Sequence, residues 1–163
     1  MLAAVLAVLF AAFAALLVLT LSHTGDATRI LGRVEAQTQV GHVVTGALAL
    51  LAAVAAVGLY LGPFWGWWLA GALALEAALH HVLVLVAVPD LSQAVGADPG
   101  AAELFILEQL GRSVGWFLVV VALYHPGLTE FFDLFERPRR RTLLLQTVTA
   151  SLLIFAGSVA WAL

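Results

Sequence analysis

Apolar runs of about twenty residues recur five times along this chain, and no soluble core of this size could absorb them all. They cover roughly 1–21, 41–61, 64–88, 103–124 and 142–163. An α-helix rises about 1.5 Å per residue, so some 20 apolar residues cross the hydrocarbon of a bilayer. In lipid every backbone N–H and C=O must be satisfied within the protein, which selects helices for such runs. The expected fold is therefore all-α, a polytopic membrane helix bundle of about five transmembrane helices. All of 1–163 forms one integral membrane domain. Composition agrees: 63% of residues are apolar and 10% charged, against the quarter usual in soluble proteins, and mean hydropathy is +1.06.

The runs are punctuated by short polar connections. Gly62-Pro63 separates the second run from the third and forces a tight hairpin. The first run carries no basic residue ahead of it and exceeds the h-region of a signal peptide, so a retained helix is expected. Asp26 offers an N-cap for an early start of the second helix. Phe131, Phe132, Leu134 and Phe135, beside Glu130, Asp133 and Glu136, read as an interfacial helix over 129–136, lying on the membrane and ended by Pro138. Arg137, Arg139, Arg140, Arg141 and the terminal amine outnumber Arg29 and Arg33 on the other side. The positive-inside rule then puts the N-terminus in the cytoplasm and the C-terminus outside the cell membrane. Tyr60, Trp65, Trp67 and Trp68 are expected in an aromatic belt at the inner interface. Ala7, Ala11 and Ala15, Gly46, Ala49 and Ala53, and Gly111 and Gly115 are expected on packing faces, since small residues let helices approach closely in lipid.

One polar patch interrupts this pattern. Glu76, His80 and His81 are the ionisable residues of the third run, and Glu108 and Arg112 stand within the fourth. Charges at bilayer depth are costly and normally face a bundle interior with a partner. Counting rise from the outer helix ends puts Glu76 ~18 Å and Arg112 ~14 Å deep, with His80 ~12 Å and Glu108 ~8 Å. Glu76 and Arg112 are therefore expected as partners across two helices. His42 begins the second helix and His23 ends the first, so histidines and carboxylates gather in the outer half of the bundle. His125 alone marks the inner edge. Which of His80 and His81 faces the interior is left open, since neighbours on a helix diverge by about 100°.

These residues admit several chemistries and exclude others. The absence of cysteine removes disulfides, thiolate metal sites, iron–sulfur clusters and thiol nucleophiles. The absence of lysine removes a Schiff-base pigment. No basic stripe suggests nucleic acid. His42, His80, Glu76 and Glu108 supply the nitrogen and oxygen ligands that zinc, copper or non-haem iron would take, although no two-histidine metal spacing supports it. Haem is the poorer fit, because His42 and His80 differ in depth. The leading expectation is a small multi-pass protein with a buried Glu/Arg/His layer, acting as a subunit or accessory of a membrane assembly. Its partners would be the bilayer and further copies of itself or other membrane subunits. A metal-dependent membrane enzyme or oxidoreductase is the rival, and a proton-coupled small-solute carrier acting as an oligomer is a third reading.

Overall fold

The computed structural model describes residues 1–22, 39–87, 99–132 and 137–160. Every element among them is helical: α1 (Leu2–Ser22), α2 (Gln39–Leu61), α3 (Phe64–Ala87), α4 (Pro99–Leu123), a short α5 (Pro126–Phe131) and α6 (Arg137–Ala160). The expectations for His23, for the Asp26 cap and for 133–136 lie outside the described residues, as does the side chain of His42. Four helices, α1 to α4, are long and apolar enough to cross a membrane, and α6 carries a shorter apolar stretch over Leu145–Ala156. An all-α bundle of about five long helices, as the apolar runs require, is what forms. Such helices in a multi-pass arrangement suit a bilayer, where their outward Leu, Val and Phe side chains meet lipid.

α3 is the central element. It packs against α2, α4 and α6, while α1 lies chiefly on α2. The α2–α3 hairpin closes at Gly62, whose φ of +81° is a left-handed conformation that glycine adopts without Cβ strain. Its N–H donates to Gly58 O, ending α2 in the way common for glycine-stopped helices. Just beyond the turn, Gly58 and Gly66 bring the two backbones into contact. A Cβ on Gly58 would sit 2.5 Å from Gly66 Cα, so this crossing tolerates no side chain.

The small-residue stripes hold in part: Ala7 and Ala49 are buried and Gly46 faces Leu21, while the rest turn outward. On α1 the buried line is Ala3, Leu6, Ala7, Phe10, Ala14 and Leu17, leaving Ala11 and Ala15 exposed. Ala53 is likewise exposed, as are Gly111 and Gly115. Spacing by four names a helix face but not which of several faces meets a neighbour. The aromatic belt also divides. Tyr60 and Trp65 are exposed as expected, but Trp67 is buried and donates its Nε1–H to Leu123 O at 2.7 Å. That bond satisfies one of the carbonyls that the end of α4 leaves without an intrahelical donor.

The interfacial helix is also relocated. α5 begins at Pro126, with His125 as its N-cap accepting from Gly127 N–H at its Nδ1. It buries Leu128 and Phe132 in the bundle and brings the Phe131 ring to the Gly62 turn. Pro138 does not end it; Pro138 stands in the first turn of α6, where its missing N–H costs no intrahelical bond. Because α5 lies at the Gly62 end and α6 starts a few residues later, α6 runs parallel to α3, with Thr147 against Gly71.

Candidate functional site

Side chains of α3 sort by the neighbour each faces. Three bonds fix its α4-facing line. Trp67 reaches Leu123, Ser113 Oγ–H donates to Ala78 O at 3.1 Å, and His81 Nδ1 lies 2.7 Å from Gln109 Oε1. Gln109 is buried within α4, and the imidazole donating from Nδ1 satisfies its carbonyl oxygen. His81 is thus the histidine that bonds across helices. His80 is buried too, and the two rings lie 5.9 Å apart, edge to face.

Glu76 stands nine residues after Trp67, which at about 100° per residue puts it on the opposite side of α3. It is 1% exposed. His80, one turn on, shares that side, in the sector of α3 flanked by α2 and α6. Each flanking helix brings a buried hydroxyl to this depth. Thr45 precedes Gly58 by as many residues as separate Gly66 from Leu79, so in the antiparallel hairpin it falls level with His80. Ser151 follows Thr147 by one turn, as Leu75 follows Gly71, and so falls level with Glu76. Ser151 is fully buried, and its Oγ meets no hydrogen-bond partner among the described residues. A hydroxyl buried in this way is a place where an internal water is expected.

Arg112 belongs to neither group. Its guanidinium pairs with Glu108 on its own helix, one turn away. Their side chains are 27% and 50% exposed, so this pair lies at the rim of the bundle. The contacts place Arg112 level with Leu79, about 4.5 Å along the axis from Glu76. Arg112 thus has a partner on its own helix in Glu108, and its pairing with Glu76 across the helices stays an expectation. Depth arithmetic found the level; it carried no information on which way each side chain turns.

Of the residues singled out by sequence, Glu76 and His80 share one buried side of α3, and Glu108 and Arg112 pair on α4. Among the described residues no three His, Asp or Glu side chains form a group able to hold a metal ion. An apolar groove of about 530 Å³ between α4 and α6, lined by Leu75, Val120, Tyr124, His125, Thr147 and Val148, contains none of the charged residues of the layer. Sequence reading passed over Gln109, Thr45 and Ser151. Gln109 and Ser113 did leave a signal, being four apart on one face of an apolar helix. Set against known proteins, the chain matches no family model, no curated protein and no solved structure.

Proposed function

We propose that this protein is a subunit of a membrane assembly and that α4 is the helix through which it docks. One observation carries the reading: within the apolar span of α4 6% of residues are buried inside the bundle, against 56% for α3. That span also holds Arg112 at its middle and Glu108 one turn away, both partly exposed. A charged residue at the centre of a bilayer costs roughly 2.5–3.5 kcal/mol on insertion scales. A neighbouring helix that covers the pair and shares its hydrogen bonds offsets part of that cost. The orientation that goes with this reading has the N-terminus in the cytoplasm, supported by the arginines around the start of α6. Extraction in a mild detergent followed by mass determination tests the proposal. A complex heavier than one 17.2 kDa chain supports it, and a monomer at every detergent-to-protein ratio refutes it.

A second reading, a proton-coupled carrier, is favoured by Glu76 and His80, both buried on one side of α3. Buried carboxylates and imidazoles within a membrane commonly mark proton paths. Proton flux into liposomes that is lost in Glu76→Gln supports it; equal flux in both proteins, at the level of empty liposomes, rejects it.

A further inference from the structure

α4 carries two lines of side chains in the four-three alternation of a helix-packing seam. The inner line is Gln109, Ser113, Trp116, Val120 and Leu123. It is occupied: Gln109 and Ser113 bond to α3, Trp116 packs at a steep ring angle against Phe10 and Phe13 of α1, and Leu123 is buried. The outer line is Leu104, Glu108, Gly111, Gly115 and Leu118, and all five are exposed. A Cβ built on Gly111 or Gly115 meets nothing within 4 Å.

We infer that the outer line is the interface with a second copy of this chain, packed in parallel about a two-fold axis along the membrane normal. The inference rests on the reading of α4 as the docking helix. The charges argue for a second copy over an unrelated helix. Two copies inserted with the same topology present Glu108 and Arg112 at identical depths. Across a two-fold the Glu108 of each copy meets both its own Arg112 and the Arg112 of the other. The four groups close into a neutral ring, in which each carboxylate accepts from two guanidinium groups. An unrelated helix would have to bring one acid and one base at those same depths. One turn deeper, Gly111 and Gly115 let the backbones approach closely enough for that ring to close, and close approach over small residues is a main source of helix association in lipid.

The chain contains no cysteine, so single engineered cysteines report one position each. Leu104→Cys and Leu118→Cys lie on the outer line, while Leu110→Cys and Phe117→Cys are exposed but off it. Oxidation of the full chain in native vesicles should yield at least tenfold more disulfide-linked dimer from the first two than from the others. A single Glu108→Arg change should abolish the dimer, and Glu108→Arg with Arg112→Glu should restore it, because the double reversal rebuilds the ring. Equal cross-linking at all four positions overturns the inference. If the outer-line cysteines do not cross-link while the detergent complex still exceeds one chain, the second copy is refuted and the docking role of α4 stands. If the protein is monomeric throughout, both fall.

Discussion

The residues that decide this structure are small or polar, and each acts through one direction of projection. Gly66 faces Gly58 with no room for a methyl group, whereas Gly111 faces open space. Gly66→Ala is therefore expected to lower stability in detergent by about 1–3 kcal/mol, the usual cost of overpacking, and Gly111→Ala to leave the isolated bundle unchanged. Thermal unfolding of the two variants side by side checks this; equal losses would contradict it. Charge follows the same logic. With Glu108 as the partner of Arg112, the losses from Glu76→Gln and Arg112→Gln are expected to add. Glu108→Gln and Arg112→Gln, in contact, should depart from additivity by about 0.5 kcal/mol or more. Two double-mutant cycles on detergent stability read both expectations, and coupling confined to the Glu76 cycle would reverse the assignment.

Among the elements, α3 and α4 are held by a polar seam set in an apolar surround. His81 and Gln109 are both buried, so removing one leaves the other without its partner. Gln109→Leu alone should cost about 1–3 kcal/mol, while Gln109→Leu with His81→Leu should recover most of it, since two apolar groups leave nothing unsatisfied. A double variant less stable than the worse single variant would mean that the seam is more than a matched pair. How far such features are legible in sequence depends on what they rest on. Helix number and approximate extent follow from run length, because lipid permits little else. Gly62-Pro63 as a hairpin follows from backbone chemistry. The facing of Glu76, the inward turn of Trp67 and the use of Pro138 to start α6 depend on where neighbouring helices stand. Rise per residue encodes depth but not azimuth around the bundle. Trp67 looked interfacial because its neighbours Trp65 and Trp68 did; only the carbonyl of Leu123 across the bundle shows why it is buried.

For the whole molecule, the uneven burial of its helices is the feature with consequences. α3 is enclosed by α2, α4 and α6, while α4 covers α3 with one line and presents a second, charged line outward. The proposed orientation rests on the arginines near α6, and a reporter active only in the cytoplasm, fused after Leu163, should be silent; activity there would invert the proposed topology. The central claim, that the outer line of α4 is covered in the membrane, is tested most directly by scanning single spin labels from position 104 to 118 in bilayers and measuring their exposure to lipid-dissolved oxygen. The account predicts minima at 104, 108, 111, 115 and 118 in addition to those at 109, 113 and 116 on the line facing α3. High oxygen exposure at all five outer positions would contradict it, leaving α4 as a helix that faces bare lipid.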